Sequence, residues 1–399
     1  MAASLKISSF NCRGLADKVK RNTIFNYLKK FHNSFIFLQE THANSTGEKQ
    51  WKREWPGRIF FSHGTSSKNG VAILTASQLQ YTVHEIKIDQ MGRYIILNVD
   101  IDDHNYILVN LYAPTKDHVT EQVQVFTEVQ NILNNYQDQA IILGGDFNIC
   151  LNPQIDKCGG RNESITDYTK LILNFMDNFE LNDIWRVRNP DAKRYTRRQN
   201  TKAGMVHSRI DFFLTSIKLG YIIDDVDIKT GLLSDHALIQ IIIKQNGNTD
   251  RRGKGFWKFN ASLLTDKDYV KKVKSCIKEV LVKYPDVNDH GLLWDLLKCD
   301  IRSLSISHSA FITKQRNEIE NYLKEKLDSL EPLLALGKTY FEEYEVAKHE
   351  YEQIQKHKTR GLLVRSKSKY IEEGERNTKY FLSSEKRKII LRRPGCNYQ

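Results

Sequence analysis

The chain has 399 residues, of which 40% are hydrophobic and 27% are charged, and it carries a formal net charge of +12. This composition excludes an intrinsically disordered chain, and no apolar run approaches the roughly 18 residues of a membrane helix. The six cysteines form no Cys-x-x-Cys pair, so neither a zinc site nor a disulfide framework is predicted. The N-terminus enters a strand pattern without the apolar core of a signal peptide, which predicts a nuclear or cytoplasmic protein without a membrane partner.

The positive charge is unevenly divided along the chain. Residues 246–399 hold 31 basic and 22 acidic residues, a net charge of +9, whereas residues 1–245 hold 29 and 26, a net charge of +3. The excess is concentrated in residues 360–399, which contain 11 Lys and Arg against 4 Glu. A basic tract of this kind suits a polyanionic partner such as nucleic acid, or is a solvated surface.

Strand and helix patterns alternate over the first 245 residues. Alternating or continuous apolar runs predict strands, and apolar residues at helical spacing predict helices. The predicted strands are 5–10, 35–40, 71–74, 81–88, 95–101, 106–111, one starting at Ala140, 210–214 and 237–243, and the predicted helices are 23–31, 121–136 and 166–179. The strands between 71 and 101 follow one another through turns, which predicts antiparallel pairing among them.

The stretch Ala140–Asn148, AIILGGDFN, organises this pattern. Its apolar run predicts a buried strand that stops at two glycines followed by an acid and an amide. Glycine has no Cβ, so backbone or a phosphate can approach closely there, and Asp146 and Asn148 can point at a common centre. Gly-Gly-Asp after a strand is also the sequence of an ordinary turn, and this stretch by itself leaves both interpretations open.

Polar residues recur where the predicted strands end. Ligands gather where strands end and loops begin, so such residues can form one site although they are far apart in the chain. They are Asn11, Glu40, Tyr112, Asp146, Asn148, Asp211, Asp235 and His236. Each has an ordinary alternative, since an asparagine can cap a turn, a glutamate can pair with a surface lysine, and a tyrosine or histidine can be buried in the core. The complete set indicates a single polar site.

Six motifs carry a family resemblance. SFNCRGL, LQETH, NLYAPT, GGDFN, SRIDFFLTS and LSDHALI occur in this order between residues 5 and 243. In order and spacing they resemble the motifs of the endonuclease/exonuclease/phosphatase family, which includes DNase I, exodeoxyribonuclease III and apurinic endonucleases. The resemblance implies an α/β fold, a DNase I-like four-layer α/β/β/α sandwich of two mixed sheets between helices. It also implies a magnesium-dependent phosphodiesterase site at one end of the sheets.

Within that family the chain most resembles the apurinic-type endonuclease of non-LTR retrotransposons of the long interspersed type. The segment Arg360–Lys388 is similar to the region that leads into the reverse transcriptase of such elements. No aromatic-x-Asp-Asp polymerase motif follows it, so we interpret the chain as the N-terminal part of a longer polyprotein or as a truncated copy. The resemblance implies double-stranded DNA as substrate, a C-terminal reverse transcriptase domain, and element RNA as a ligand of the basic tail.

The chemistry of the reaction suggests which residues hold the metal. Phosphodiester hydrolysis needs a cation for the developing charge, an activated water and donors around the nonbridging oxygens. Glu40 is the first candidate ligand for Mg²⁺, for which Mn²⁺ would substitute, because a hard ion with few carboxylates and several waters suits a site shared with phosphate. Asn11 would help to hold this site and Asp235 would complete it.

The remaining polar residues are assigned to catalysis. His236 would contact the phosphate and be oriented by Asp211, either as a general base or, when protonated, as a stabiliser of the transition state. Asp146 is the competing candidate for activating water, with Asn148 positioning that water or donating to the phosphate. Tyr112 would donate to the same phosphate or assist the leaving oxygen.

Specificity is expected from loops and basic residues around the site. The segment Lys193–Arg198, KRYTRR, combines four cations with a tyrosine, which suits phosphate contacts or a solvated hairpin. Arg13 stands where repair-type members of the family carry an acid, which would weaken a second metal position and add a positive charge near the substrate. The predicted DNA-binding residues are Arg13, Arg161, Arg194, Thr196, Arg197 and Arg209.

Three segments are expected in the domain organisation. They are an endonuclease domain at 1–244, a polar linker at 245–256 and a mostly α-helical basic region at 257–399. The helical patterns of the last segment are 269–282, 292–301, an apolar stripe from 312 to 330, and 340–356, which would pack back on the stripe as a hairpin. The stripe lasts under three heptads, which favours an ordinary helical core over an intermolecular coiled coil.

Three functions remain open. The first is nicking of genomic target DNA to prime reverse transcription. The second is a repair or general hydrolase of the same fold, such as an apurinic/apyrimidinic endonuclease, an exodeoxyribonuclease III-like nuclease, or a phosphoinositide or sphingomyelin phosphodiesterase. The third is a catalytically inactive nucleic-acid-binding relic. The basic tail favours the first over the second, and the intact set of motifs disfavours the third.

Overall fold

The computed structural model describes residues 4–64, 68–160, 165–201, 204–244, 259–285, 289–336 and 338–372, with backbone alone for 335, 336, 338 and 361–372. Within these residues the strands are β1 (Ser4–Asn11), β2 (Phe35–Gln39), β3 (Ile59–Ser62), β4 (Val71–Thr75), β5 (Thr82–Ile88), β6 (Tyr94–Ile101), β7 (His104–Tyr112), β8 (Ala140–Asp146), β9 (Lys157–Cys158), β10 (Leu181–Asp183), β11 (Arg197–Thr201), β12 (Gly204–Ser208), β13 (Asp211–Ser216), β14 (Ile223–Lys229) and β15 (Leu238–Lys244). The helices are α1 (Lys18–Lys29), α2 (Glu48–Glu54), α3 (Val119–Leu133), α4 (Pro153–Asp156), α5 (Asp167–Asn178), α6 (Ile184–Arg188), α7 (Lys267–Lys283), α8 (His290–Leu330) and α9 (Lys338–Glu372).

Two six-stranded mixed sheets form the centre of the fold. The order of the first is β14-β15-β1-β2-β4-β3, and the order of the second is β10-β13-β8-β7-β6-β5. Strands β1 and β2 run parallel, as do β7 and β8, while the other neighbours are antiparallel. The predicted antiparallel pairing holds for β5 and β6 but is wrong for β4, which belongs to the other sheet and pairs with β2 and β3.

The main core lies between the two sheets. Ile7 and Phe37 of the first sheet belong to the same buried cluster as Leu108, Ile142 and Phe213 of the second. The ring centroids of Phe37 and Phe213 are 6.2 Å apart. Strand β2 is buried along its whole length, which explains why its sequence is a nearly continuous apolar run instead of an alternating one.

Helices cover the outer faces of both sheets. Phe126 of α3 and Phe175 of α5 belong to a second buried cluster with residues on the outer face of the second sheet. The ring centroids of these two residues are 5.1 Å apart. On the first sheet, Phe25 of α1 packs on Trp55, whose indole N–H donates to the carbonyl of Thr75 at the end of β4. The predicted four-layer α/β/β/α sandwich is confirmed.

A small third sheet extends from this sandwich. Strands β11 and β12 form a hairpin, and β12 also pairs with the short strand β9. The backbone of Arg198 donates to the carbonyl of Asp235, and the backbone of Ala237 donates to the carbonyl of Thr196. The hairpin is therefore joined to the chain around His236. Its polar sequence lacks an apolar period, so sequence patterns did not predict these strands.

The C-terminal part is helical, as predicted, but its segments differ from the prediction. The expected helix at 292–301 and the apolar stripe are parts of the single helix α8. Leu323, Leu327 and Leu330 of the stripe are buried, whereas Ile319 is 53% exposed. The hydroxyls of Tyr269 in α7 and Ser305 in α8 are 2.6 Å apart, and both side chains are buried.

The described residues divide into two compact units. Residues 259–351 form one unit, and residues 4–244 together with 352–372 form the other, so α9 contributes to both. Strand β15 ends at Lys244. The whole of the predicted linker, 245–256, lies outside the described residues. None of the described helices combines the length and apolarity needed to cross a bilayer.

Candidate active site

The polar residues predicted at strand ends lie at one edge of the two sheets. In the first sheet, Asn11 is in register with Gln39, which directly precedes Glu40. In the second sheet, Asp146 is in register with Tyr112 on one side and with Asp211 on the other. Parallel neighbours end at the same edge and an antiparallel neighbour begins there, which explains why residues so distant in sequence converge.

The two glycines of GGDFN are required by the packing of β8 between its neighbours. A Cβ at Gly144 would lie 2.3 Å from the ring of Phe213, and a Cβ at Gly145 would lie 1.8 Å from the carbonyl oxygen of Leu111. Gly145 also has φ = +155°, which side chains rarely adopt. These glycines lie in a strand that delivers Asp146 to the site, and the alternative of an ordinary turn is excluded.

Asn11 connects the carboxylates of the two sheets. Its Nδ2 donates to Oε1 of Glu40 at 3.0 Å and to Oδ2 of Asp146 at 2.8 Å. The hydroxyl of Tyr112 donates to the same Oε1 of Glu40 at 2.9 Å. In this orientation the amide nitrogen of Asn11 faces both carboxylates. Asn11 therefore positions the two carboxylates, and its amide oxygen is not directed at a metal ion between them. Burial, and then the Glu40 charge, raise the pKa of Tyr112, which keeps its hydroxyl a neutral donor.

His236 forms a buried pair with Asp211 beside Asp146. Its Nδ1 lies 2.8 Å from Oδ2 of Asp211, and its Nε2 lies 3.9 Å from Oδ2 of Asp146. Burial opposes a charged imidazole, but the carboxylates of Asp211 and Asp146 outweigh it and raise the pKa of His236. Burial, and then the charge of Asp211, also raise the pKa of Asp146. The ionisation states of His236 and Asp146 therefore depend on each other.

The loops that follow the strands hold these groups in place. The backbone N–H of Asn148 donates to Oδ1 of Asp146 at 2.9 Å, and its side-chain amide donates to the carbonyl of Ala113 at 2.8 Å. Ser234, which was not predicted as a site residue, donates to the carbonyl of Asn11 at 2.8 Å and accepts from the backbone N–H of His236 at 3.2 Å. Its position in LSDHALI, two residues before the histidine, was the signal that could have found it.

The donor set fits a divalent cation. Ligand atoms of Asp146, Asp211 and His236 lie within 4.8 Å of one another, and Asn11 brings Glu40 to the same group. Because His236 and Asp211 are paired with each other, Glu40 is the carboxylate best placed to hold Mg²⁺, which prefers oxygen ligands. The raised pKa of Asp146 reflects the cost of burying two carboxylates together.

The profile of the "Endonuclease/Exonuclease/phosphatase family" matches residues 8–236, which is more than half of the chain. The chain belongs to the endonuclease/exonuclease/phosphatase family. The match begins in β1, which ends at Asn11, and its last residue is His236. The family resemblance predicted from the six motifs is confirmed.

Two curated relatives differ in how much of the chain they match. The "Transposon TX1 uncharacterized 149 kDa protein" of Xenopus laevis is 27% identical over 400 residues, covering 98% of this chain and 30% of that protein. The exodeoxyribonuclease of Bacillus subtilis is 24% identical over 263 residues, covering 60% of this chain and 99% of that enzyme. The chain therefore spans less than a third of the transposon protein. The match to that protein includes the helical region, whereas the match to the bacterial enzyme covers a shorter part.

A solved structure shows the family fold. The AP endonuclease LMAP from Leishmania major superimposes with a TM-score of 0.54 at 17% identity, covering 61% of this chain and 88% of that chain. At this identity the likeness establishes the fold alone. It agrees with the four-layer sandwich described above for residues 4–244.

Two of the predicted DNA-binding residues of this family member face inward. Thr196 is fully buried, and its hydroxyl oxygen accepts from the backbone N–H groups of Ile210 and Asp211, both at 3.0 Å. Arg209 is 1% exposed and forms ion pairs with Asp156 at 2.7 Å and Asp183 at 2.6 Å. The predicted DNA contacts of Thr196 and Arg209 are wrong, because both side chains are buried and support the strand that carries Asp211.

The other predicted DNA-binding residues have different surroundings. Arg194 is half-buried and donates to the carbonyl of Ile228. Arg13 and Arg197 are both close to the carboxylate of Asp235, at 3.6 Å and 3.7 Å. Asp235 was predicted to complete the metal site, yet its oxygens face these two arginines. Arg161 lies outside the described residues.

Proposed function

We propose that residues 4–244 hydrolyse phosphodiester bonds of double-stranded DNA with Mg²⁺, with Mn²⁺ as a substitute. The biological role that we propose is nicking of genomic target DNA in the nucleus to prime reverse transcription of a non-LTR retrotransposon. The observation that carries the chemistry is the single polar network in which Asn11 joins Glu40 to Asp146 while Asp211 orients His236 beside them.

The proposed metal ligand is Glu40, and Asn11 holds it at a fixed separation from Asp146. When bound there, Mg²⁺ would neutralise charge that develops on the nonbridging oxygens of the phosphate. Tyr112 donates to the Glu40 oxygen that Asn11 also contacts, so two side chains fix this carboxylate. A preorganised site of this kind needs little rearrangement when charge develops in the transition state.

His236 is proposed to stabilise the phosphate as an imidazolium. Its Nδ1 is directed at Asp211, so Nε2 is the nitrogen that faces the site. Since the pKa of His236 is raised, Nε2 carries a proton at neutral pH and can donate to a phosphate oxygen. A group that is already protonated cannot accept a proton from water. This favours His236 as stabiliser over His236 as general base.

Asp146 is then the proposed base for the attacking water. It is fully buried, and its raised pKa brings its proton affinity closer to the working pH than that of an exposed aspartate. The backbone N–H of Asn148 holds one oxygen of the carboxylate and Asn11 holds the other. Tyr112, a neutral donor, is placed to contact the phosphate or the leaving oxygen.

The retrotransposon role is supported by the extent of the matches. The similarity to the transposon protein covers 98% of the chain, including the helical region, and the similarity to the exodeoxyribonuclease covers 60%. We propose that a reverse transcriptase domain lies C-terminal to this region in the full polyprotein. We also propose that the basic tract after Arg360 binds element RNA through its phosphates.

The nuclease proposal is tested by the conversion of supercoiled plasmid to open circles by the full chain. We expect nicking that depends on Mg²⁺ or Mn²⁺ and that Asp146→Asn reduces by about 10²- to 10³-fold. Lys170→Ala, an exposed substitution on α5, is the matched control and should nick at the wild-type rate. Unchanged nicking by Asp146→Asn would contradict the site assignment.

The retrotransposon role is distinguished from repair by the choice of substrate. The rate on one duplex oligonucleotide is compared with the rate on the same duplex containing a single abasic site. We expect similar rates, because a target-site nickase acts on intact DNA. A preference of several hundredfold for the abasic duplex would overturn this role and favour an apurinic repair endonuclease.

A further inference from the structure

Asp235 faces two arginines that come from separate parts of the chain. Its Oδ1 lies 3.6 Å from Nη1 of Arg13, and its Oδ2 lies 3.7 Å from Nε of Arg197. Both separations are longer than those of hydrogen bonds, so the guanidinium groups keep donors for another anion. Nε of Arg197 is buried and has no hydrogen-bond partner among the described residues. The Arg13 and Arg197 side chains are 65% and 31% exposed.

Arg13 is held by the catalytic network itself. Its φ of +46° turns the chain directly after β1, and its backbone N–H donates to Oδ1 of Asn11 at 3.0 Å. Its carbonyl accepts from Nζ of Lys20 at 2.6 Å, which ties the turn to α1. Because the amide of Asn11 also contacts Glu40, the backbone position of Arg13 is coupled to the proposed metal site.

Arg197 is held on the histidine side of the same site. It forms an isolated antiparallel bridge with His236, and the next backbone N–H, of Arg198, donates to the carbonyl of Asp235 at 3.1 Å. The first residue of the β11–β12 hairpin is therefore attached to the residue that would contact the scissile phosphate. Each of the two arginines therefore faces a different carboxylate oxygen of Asp235.

We propose that Arg13 and Arg197 form a clamp for the backbone phosphates next to the scissile bond, and that Asp235 orients the two guanidinium groups instead of binding the metal. A guanidinium recognises phosphate with paired N–H donors in a fixed plane. Glu40 accepts from neutral donors, whereas the charge of Asp235 is already compensated by two cations, so Glu40 is the better metal ligand. This inference rests on the proposed function, since a phosphate clamp requires a nucleic-acid substrate.

Two other roles for this cluster make different predictions. If Asp235 is a metal ligand, its replacement weakens metal binding. If the cluster is only a solvated ion pair, its arginines make no specific contact to DNA and add little to DNA affinity. Metal binding and DNA binding are therefore measured separately, and neither measurement relies on turnover.

The first experiment measures binding of the full chain to a short fluorescein-labelled duplex in EDTA over a range of KCl concentrations. We expect Arg13→Ala and Arg197→Ala each to reduce the slope of log affinity against log salt by about 0.9, one phosphate contact each. Lys170→Ala removes an exposed cation from α5 and should leave the slope unchanged. Slopes unchanged in both arginine variants would overturn the clamp.

The second experiment measures binding of Mn²⁺ alone by the electron paramagnetic resonance signal of the free ion. We expect the Kd of Asp235→Asn for Mn²⁺ to lie within twofold of the wild-type Kd, and the Kd of Glu40→Gln to be at least tenfold higher. Unchanged thermal unfolding midpoints of the two metal-free variants are the check on folding. Weakening of Mn²⁺ binding by Asp235→Asn as large as that by Glu40→Gln would overturn the orienting role. Failure of the proposed function would appear differently, as a wild-type chain that neither binds nor nicks the duplex.

Discussion

Nδ1 of His236 lies 2.8 Å from Oδ2 of Asp211, and both side chains are buried at the strand ends where the site forms. Burial alone would lower the pKa of this histidine, but the carboxylates of Asp211 and Asp146 raise it to about 9. The imidazolium is therefore the form present at neutral pH. Because the folded-state pKa is raised, the stability that this charge contributes is present below the unfolded-state pKa and is lost as the pH rises through about 9.

Asp211→Asn tests this relationship through the pH dependence of nicking. Activity that needs the imidazolium falls as the pH rises through the pKa of His236. Removing the Asp211 charge lowers that pKa by about 1 unit or more, so the alkaline limb of the profile moves to lower pH. The rate of plasmid nicking is measured from neutral to alkaline pH, with Asp167→Asn on the exposed end of α5 as control. An alkaline limb at the wild-type position would show that activity does not depend on the imidazolium of His236.

Glu40→Gln is expected to remove metal-dependent stabilisation. A ligand that binds only the folded state raises stability by about 2.7 kcal/mol at 100 times its Kd. MgCl₂ or MnCl₂ should therefore raise the thermal midpoint of the wild-type chain, and the increase should be absent in Glu40→Gln. Glu128→Gln, an exposed residue of α3, should respond as wild type does. An equal increase in the thermal midpoint of Glu40→Gln would show that Glu40 is not a metal ligand.

Gly145→Ala is expected to destabilise the fold severely. The added Cβ would lie 1.8 Å from the carbonyl oxygen of Leu111, and backbone in the strand on that side cannot move without breaking the pairing of β7 with β8. We expect a loss of about 3 kcal/mol or more in the free energy of unfolding, measured with urea. Gly47→Ala is the control, since its Cβ would meet no atom closer than 3.3 Å. Similar unfolding curves for the two variants would contradict the assigned packing.

Arg209→Met separates a structural role from a DNA contact. The guanidinium pairs with Asp156 and Asp183, and Asp156 also pairs with Arg186. Loss of the Arg209 guanidinium therefore leaves the buried carboxylate of Asp183 without its cation, at a cost of about 3–5 kcal/mol. Urea unfolding should show this loss, and the salt slope of DNA binding should not change below the unfolding transition. Arg53→Met, on the exposed side of α2, is the control for charge. A reduced salt slope without a loss of stability would show that Arg209 contacts DNA and has no structural role.

The strand ends could be predicted from sequence because the change from an apolar run to a polar residue is a local property. Asn11, Glu40 and Asp146 were found in this way, and the structure brings them into one hydrogen-bonded group. The hairpin of β11 and β12 was missed because its strands are polar and are paired through backbone contacts with the chain near His236. Periodicity carries no information about such contacts.

The sequence by itself determined which side chains reach the edge of the sheets, since strand runs, their breaks and the six motifs are all read within a few residues. Only the tertiary structure decided the partner of each side chain. Thr196 and Arg209 turn inward to support the Asp211 strand, and Asp235 faces two arginines. These contacts join distant positions, as Ser234 and Asn11 do across 223 residues, and the direction of a side chain about its strand is settled only when both sheets are packed.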